Sequence, residues 1–244
     1  MTTTVSVVIP VLDDATELRI CLDLLSRQTR APDEIIAVDN GCSDDSVAVA
    51  RAGGARVVTE SRKGIPYAAA AGYDAATGDV IARLDADSRP APDWVEQVMR
   101  AMDDPATDAV TGSGTFHDLP PVIRHLAALL YLGSYYVLTW LALANTPLWG
   151  SSMAVRRTVW ARVSHLVHRD ADVHDDMDLA FALGPLARIK YVRAIGVGVS
   201  GRSVRGSQQL ARRMDRAFTT LRLNWQVQPP WERWQQRLSG GRRR

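Results

Sequence analysis

The sequence predicts an α/β fold in which a central, mostly parallel sheet is flanked by helices. Through the first half of the chain, short apolar runs of strand character alternate with segments of helical period, as in a parallel sheet with crossover helices. The 244 residues are enough for one sizeable domain with its own core. A hydrophobic content of 46% with 23% charged residues is typical of a globular protein.

Each predicted element has its own local signal. The first strand is an apolar run that ends at Pro10, and the helix after it places Leu18, Cys21, Leu22 and Leu25 at helical spacing. The predicted strands cover residues 5–10, 34–39, 55–58, 79–84 and 108–111. The predicted helices cover residues 14–27, a short segment from residue 44, 65–76 and 92–102.

The second half of the chain is less regular. Residues 126–144 contain no charge, and at about 1.5 Å per residue a helix there could nearly cross a bilayer. Strand-like runs follow at 150–155 and 189–199, then a basic amphipathic helix at 205–224 and a tail rich in Trp and Arg. We expect a domain over 1–204, with halves 1–112 and 113–204, and a basic helical tail over 205–244.

Charge is distributed unevenly. Residues 1–120 carry 10 Lys and Arg against 20 Asp and Glu, whereas residues 202–244 carry 11 against 2. The basic end should attract an anion such as a diphosphate, an anionic lipid or a nucleic acid. Cys21 and Cys42 are too few for a disulfide framework, and the first residues show no signal-peptide pattern, so we expect a cytoplasmic protein.

Two acidic clusters carry the main chemical signal. Asp85-Ala86-Asp87 follows a predicted buried strand, and crevices of open α/β sheets lie at the carboxyl ends of strands. Such carboxylates suit a hard divalent cation that also binds phosphate oxygens. The second cluster, Asp175-Asp176-Met177-Asp178, could supply a general base. Transfer of a sugar from a nucleotide donor requires both functions, although acidic residues also cap loops and helix starts.

Polar residues also follow the first two strands. Pro10, Val11 and Asp13 end the first, and Asp39 to Asp44 follows the second. An acid at such a strand tip can accept hydrogen bonds from a nucleobase or a ribose, but the same residue types favour a turn and a helix cap.

Two cationic loops could hold phosphate. Lys63-Gly64 precedes a predicted helix, whose N-terminus would favour an anion. Arg202 and Arg205 lie in a Gly- and Ser-containing segment, and the arginine fork matches phosphate oxygens. Solvated loops are the alternative for both.

With these segments in order, the chain resembles the family 2 glycosyltransferases of the GT-A fold from Val5 to about Arg205. The resemblance rests on six segments: Val7–Pro10, Glu34–Asp44, Lys63–Gly64, Asp85–Asp87, Gly150–Arg157 and Asp175–Leu179.

The resemblance implies inverting transfer from a nucleotide-diphospho-sugar. It implies that Asp39 contacts the base, that Asp87 with Asp85 nearby holds Mg²⁺ or Mn²⁺, and that Asp176 is the catalytic base. It also implies that the segment Trp149, Gly150, Ser151 and Ser152 faces the sugar and acceptor.

The chain departs from the family pattern at three places. Val11 to Asp14 lacks the usual aromatic and Asn, which leaves the nucleotide open. The catalytic pair is Asp175-Asp176 rather than Glu-Asp, so either residue could be the base. An alanine run, 68–71, replaces the usual Arg-Asn of the loop after Lys63. No Gln-x-x-Arg-Trp motif is present, which favours a single transfer.

Three rival functions remain open at this level. The first is nucleotide-sugar binding without catalysis, and the second is a nucleotidyltransferase, which would need a Gly-rich loop where residues 10–14 contain no glycine. The third is a basic module that binds membrane or RNA, although no RNA-binding motif accompanies the cations.

The apolar run 126–144 should not cross a membrane once, because that would separate the two acidic clusters. A core helix, a homodimer contact and a segment on the bilayer surface remain open. Aromatic residues in the run and in the Trp- and Arg-rich tail favour peripheral membrane contact. That contact would suit the inner face of the plasma membrane and a lipid- or polyprenyl-linked acceptor.

Overall fold

A seven-stranded sheet forms the centre of the molecule, and the computed structural model describes residues 3–201 and 207–240. The strand order is β3-β2-β1-β4-β8-β6-β9. Only β8 runs antiparallel to its neighbours, so the predicted mostly parallel sheet is confirmed. The strands are β1 Val5–Val11, β2 Glu34–Asp39, β3 Arg56–Thr59, β4 Val80–Arg83, β6 Ala109–Thr111, β8 Met153–Arg156 and β9 Ile189–Tyr191.

Helices cover both faces of this sheet. Alternation along β1 explains why: Val5, Val7 and Ile9 point into one apolar cluster with α1 and α4, and Val8 points into the other with α3 and α7. Gly72 of α3 lies so close to β1 that an added Cβ would stand 2.3 Å from Val8 Cγ1. The helices of this part are α1 Ala15–Ser26, α2 Ser46–Ala52, α3 Ile65–Ala75, α4 Trp94–Ala101, α6 Arg157–Val163 and α7 Asp175–Leu183.

A second, three-stranded sheet was not predicted. It pairs β5 (Arg89–Pro90), β10 (Val197–Val199) and β7 (Gly114–Phe116) in the order β5-β10-β7. The expected single strand over 189–199 is therefore wrong: the run divides into β9, a short 3₁₀ turn at Arg193–Ile195, and β10. Likewise, the strand expected over 150–155 begins only at Met153, because Gly150 to Ser152 form a turn.

The apolar run forms a long helix, α5, over Pro121–Leu143. Within the described residues it is the one helix long and apolar enough to cross a membrane, with a mean hydropathy of 1.6 over Ile123–Leu143. One side of α5 packs on the domain: Ala128, Leu132 and Leu143 are buried, and the hydroxyl of Tyr135 donates to the carbonyl of Leu148 at 2.6 Å.

Two further helices close the fold: α8 (Ser207–Val227) and α9 (Pro230–Gly240). A basic helix followed by a Trp- and Arg-rich tail was predicted, and that tail forms the second helix, α9. Both helices pack against α5. The indole N–H of Trp225 donates to the carbonyl of Ala142, and the buried guanidinium of Arg233 donates to the carbonyl of Leu143.

Candidate functional site

Strand register brings the two acidic clusters to one edge of the large sheet. Arg83 pairs with Val8 of β1, so Asp85 follows β4 at the level where β1 ends. Arg83 also pairs with Met153 of the antiparallel strand β8. The turn before β8 therefore stands beside the residues that follow β4. Gly150 and Ser151 lie in that turn, next to Asp85.

Asp85 is held by two contacts across this edge. Its Oδ2 accepts a hydrogen bond from Ser151 Oγ at 2.5 Å, and its Oδ1 lies 3.1 Å from a nitrogen of Arg83. Ser88 supports the turn by donating to the carbonyl of Ser151 at 3.2 Å. The side chain of Ala86 packs into the core, so at this position only the backbone can meet a ligand. Asp87 lines the cleft described below.

A buried arginine joins the two clusters. The Arg83 side chain is 4% exposed and contacts both Asp85 and Asp175, which are 90 positions apart in the chain. Burial opposes its charge, but Asp175 and then Asp85 outweigh burial and raise the pKa of Arg83 well above its usual value. Gly150 packs on the guanidinium, since a Cβ there would stand 2.7 Å from Arg83 Cζ. The sequence reasoning did not single out Arg83.

Asp175 and Asp176 begin α7 and have different partners. Asp175 contacts Arg83, and burial raises the pKa of its carboxyl to about 6, with the nearby charges of Asp176 and Asp85 adding to the effect and Arg83 opposing it. Asp176 instead accepts a hydrogen bond at Oδ2 from the backbone N–H of Gly150, at 2.7 Å. Its carboxylate is thereby attached to the turn that carries Ser151.

A cleft of about 70 Å³ opens beside these residues. Asp85, Asp87 and Ser151 line one side, and Trp149 lies in the wall. Tyr131 of α5 and Arg213 of α8 also line the cleft, and the Arg213 guanidinium donates to the Tyr131 hydroxyl. The sequence reasoning placed Arg213 in the basic helix over 205–224, which was expected to attract an anion, but did not name it as a residue of the site. Its place in the cleft depends on how α8 packs, which no local pattern reveals.

The loops that follow β1 and β2 at this edge are tied to one another. Asp13 Oδ1 accepts hydrogen bonds from the N–H and the hydroxyl of Ser43, at 2.6 and 3.1 Å. Asp39 Oδ1 accepts from the N–H groups of Gly41 and Cys42. The Oδ1 atoms of Asp13 and Asp39 thus stabilise the local turns, as the alternative interpretation of these residues expected. Pro10 and Val11 are buried in β1, which leaves little of either side chain accessible.

Asn40 connects this end to the loop of Lys63 and Gly64. Its buried side chain donates to the carbonyls of Glu60 and Arg62, at 2.9 and 2.8 Å, and accepts from the N–H of Gly64 at 2.8 Å. Lys63 is exposed next to Gly41. Lys63 therefore lies beside the loop that follows Asp39, because the Asn40 amide satisfies three backbone groups of these two segments.

Some predicted site residues lie elsewhere. Ser152 was expected to face the acceptor, but it is fully buried: its hydroxyl donates to the carbonyl of Ile195 at 2.5 Å and accepts from the Trp94 indole at 3.0 Å. Asp178 is also buried and binds His168 and Asn224. Arg202 and Arg205 lie outside the described residues.

Two clusters of side chains could each hold a cation. Asp85 and Asp87 offer hard oxygen donors in the cleft, which suit Mg²⁺ or Mn²⁺. Asp13, Cys42 and Asp44 also bring ligand atoms within 4.8 Å of one another. Hydrogen bonds within the protein engage that second group: Asp44 accepts from the N–H groups of Ala15 and Ser46. Asp85 is engaged as well, by Ser151 and Arg83, but it lines a cleft with space for a ligand together with Asp87, so we place the candidate cation at the cleft.

With this geometry described, comparison with known proteins identifies the family. The sequence model of "Glycosyl transferase family 2" matches residues 6–163. The chain belongs to glycosyltransferase family 2. The matched segment contains Asp39, Asp85 and Asp87 but ends before Asp175.

Curated relatives of the family 2 chain align with part of it. It is 31% identical over 120 residues to the glycosyltransferase AglE of Haloferax volcanii. That alignment covers 46% of this chain and 40% of AglE. It is 33% identical over 114 residues to the putative glycosyltransferase EpsH of Bacillus subtilis. That alignment covers 45% of this chain and 33% of EpsH. The match therefore spans less than half the length of either relative.

Solved structures show the same fold. A mannosyltransferase, PcManGT from Pyrobaculum calidifontis in complex with GDP-Man and Mn²⁺, superposes with a TM-score of 0.72 at 19% identity, over 96% of this chain and 68% of that one. Glucosyl-3-phosphoglycerate synthase from Mycobacterium tuberculosis, in complex with Mn²⁺, UDP-Glc and phosphoglyceric acid, superposes with a TM-score of 0.65 at 20% identity, over 91% and 79%. At these identities the likeness establishes the GT-A fold of the family 2 chain.

Proposed function

We propose that this protein is an inverting glycosyltransferase that moves a sugar from a nucleotide-diphospho-sugar to an acceptor hydroxyl. The observation that carries the proposal is the junction at Arg83, which brings Asp85 and Asp175 to one buried guanidinium beside the cleft. Membership of family 2 supports it, as do structural neighbours solved with Mn²⁺ and nucleotide sugars.

The donor diphosphate would bind at the cleft. Asp87, with Asp85 beside it, would hold Mg²⁺ or Mn²⁺, and the cation would supply positive charge for the departing diphosphate. Arg213 lines the same cleft, and its guanidinium would bind the same oxygens. Arg202 and Arg205 belong to the same proposal by sequence. The nucleoside would lie toward Asp39, Asp13 and the Lys63-Gly64 loop.

Asp176 is the proposed general base. Asp175 is engaged with Arg83, whereas Asp176 is attached to the Gly150–Ser151 turn at the cleft. The acceptor oxygen would attack the anomeric carbon as its proton passes to Asp176. The bond from that carbon to the diphosphate breaks, and its electron pair leaves with the nucleoside diphosphate. One displacement inverts the configuration without a covalent enzyme intermediate.

The acceptor would approach along Trp149, Gly150 and Ser151. Trp149 and Ser151 line the cleft, while Ser152 supports the turn from the core.

A cytoplasmic location belongs to the same proposal, because Cys21 and Cys42 are both free thiols, as suits a reducing compartment.

Removal of the base should separate binding from catalysis. We expect Asp176→Asn to abolish transfer and donor hydrolysis while Mn²⁺-dependent stabilisation by the correct nucleotide sugar remains, since ligand binding raises the melting temperature. A panel of nucleotide sugars, each with Mn²⁺ or with EDTA, identifies the donor by thermal shift.

Two further variants serve as controls for this experiment. Asp87→Asn should lose the Mn²⁺-dependent shift itself, and Asp23→Asn, on the exposed side of α1, should behave as the unaltered protein. If Asp176→Asn keeps full activity, the base assignment is wrong. If no nucleotide sugar shifts the melting temperature with Mn²⁺, the proposed function fails.

A further inference from the structure

The outward face of α5 is an apolar surface that stays largely exposed among the described residues. Leu129 is 69% exposed, and Leu130 and Leu138 are each 66% exposed. At about 100° per residue these and the other exposed apolar side chains cover roughly half of the helix circumference. The remaining members of this surface are Ile123, Leu126, Val137, Trp140 and Leu141.

The opposite face of α5 is attached to the domain, so this helix cannot be surrounded by lipid. Leu132 and Thr139 are buried, and the hydroxyl of Tyr136 donates to the carbonyl of Gly112 at 2.5 Å. A helix with one apolar face outward and the other packed on protein suits the plane of a membrane interface rather than a span across it.

Aromatic and cationic groups border the apolar surface. The rings of Trp140 and Trp234 meet edge to face at 4.7 Å between centroids, and Trp231 is exposed on the same helix, α9. Indole side chains are enriched where a protein meets the membrane–water boundary. The segment α5 itself contains Arg124 and no acidic residue.

The helix beside α5 adds positive charge. α8 carries four arginines against one aspartate, and Arg212 and Arg222 are exposed. Phe218 and Met214 are exposed apolar residues of the same helix. Cations next to an exposed apolar face attract anionic headgroups, whereas a second copy of this chain would bring the same cations together.

We propose that the outward face of α5, with α8 and α9 beside it, docks on an anionic lipid bilayer. Leu130 and Tyr131 are consecutive on α5, and Tyr131 lines the cleft. The cleft would therefore open within about one helix diameter, or 10 Å, of the lipid boundary. If the proposed function holds, the acceptor that reaches the cleft would be a lipid anchored in that membrane.

Flotation of the full chain with vesicles tests the docking without any donor. We expect binding to phosphatidylcholine vesicles that contain phosphatidylglycerol, weak binding to phosphatidylcholine alone, and release at high salt. Leu130→Glu with Val137→Glu should weaken vesicle binding by at least about tenfold, because each carboxylate would have to enter the apolar boundary. The matched control is Leu166→Glu, at an exposed leucine outside this face.

A milder pair, Leu130→Gln with Val137→Gln, covers the case in which two new charges disturb folding; it should also reduce vesicle binding. The proposal is overturned if the unaltered chain ignores anionic vesicles, or if both pairs bind them as well as Leu166→Glu does. A stable dimer that the substitutions dissociate, without vesicle binding, would assign the face to a second copy instead. If the unaltered chain binds no nucleotide sugar with Mn²⁺, the proposed function is refuted, but the vesicle result still stands.

Discussion

At the residue scale, Arg83 determines how the site is assembled. A single arginine at the end of a strand is ordinarily expected to reach solvent, yet here its side chain is 4% exposed with carboxylates on two sides. Removing one partner of a buried ion pair leaves an uncompensated charge, which is costly. The same guanidinium also requires glycine at position 150, because no space remains for a β-carbon.

Gly150→Ala should therefore impair the site. The new methyl group would displace either the Arg83 guanidinium or the turn whose N–H binds Asp176. We expect transfer to fall by at least about tenfold, in line with the effect of small displacements in catalytic geometry. Steady-state kinetics and the melting temperature are the measurements. Gly133→Ala is the control, since a Cβ there meets nothing within 4 Å; equal activity in both variants would contradict the tight fit.

At the element scale, Glu34 at the start of β2 joins three neighbouring segments. It accepts hydrogen bonds from Ser6 of β1, from Arg56 of β3 and from Thr77 before β4. Burial alone would raise the pKa of Glu34, but these bonds outweigh it and lower the pKa to about 2. A depressed carboxyl pKa stabilises the folded state above the unfolded pKa, and that stabilisation is lost as the pH falls toward the folded value.

Glu34→Gln should consequently destabilise the protein at pH 7 by up to roughly 3 kcal/mol, the equivalent of the shift from 4.5 to about 2. The difference from the unaltered protein should shrink as the pH falls from about 4.5 toward 2. Urea unfolding across this range measures it. Glu96→Gln, at a partly exposed position of α4 where the carboxylate meets only Arg100 and Thr29 in the hydrogen bonds of the described residues, should cost less than about 0.5 kcal/mol. A deficit that does not depend on pH would show that the carboxylate charge is not the cause.

At the scale of the whole molecule, the C-terminal helices are part of the packing. Arg233 of α9 donates to the carbonyls of Leu143 and Phe181, which joins α5 to α7. The hydroxyl of Thr220 in α8 accepts from the N–H of His174, next to Asp175. The boundary at 205 stays a prediction, but these contacts show that α8 and α9 rest on the elements that carry the site.

A chain that ends at Gly201 should thus be less stable than the 244-residue chain. We expect its melting temperature to fall by at least about 5 °C, because buried contacts of α5 and α7 are lost. A chain that ends at Gly240 keeps every contact named here and should have the same melting temperature as the 244-residue chain. Thermal unfolding of the three chains decides between an integral part and an appended tail; identical melting temperatures would favour the tail.

Sequence reasoning predicted the elements whose periodicity is strong, and with them part of the site. The central strands and α1 read clearly because they bury one or both faces over several turns or pleats. The edge position of Asp85 and Asp87 followed from the strand before them. The strands of the small sheet span two or three residues, too few for a period.

Local pattern is enough to predict the α/β class, the family and the order of the polar segments along the sheet edge. Which side chains meet follows from tertiary packing: Arg83 joins Asp85 to Asp175, Ser152 faces the core, and Arg213 lines the cleft. Such contacts depend on strand register and helix packing between distant segments, which no local pattern records.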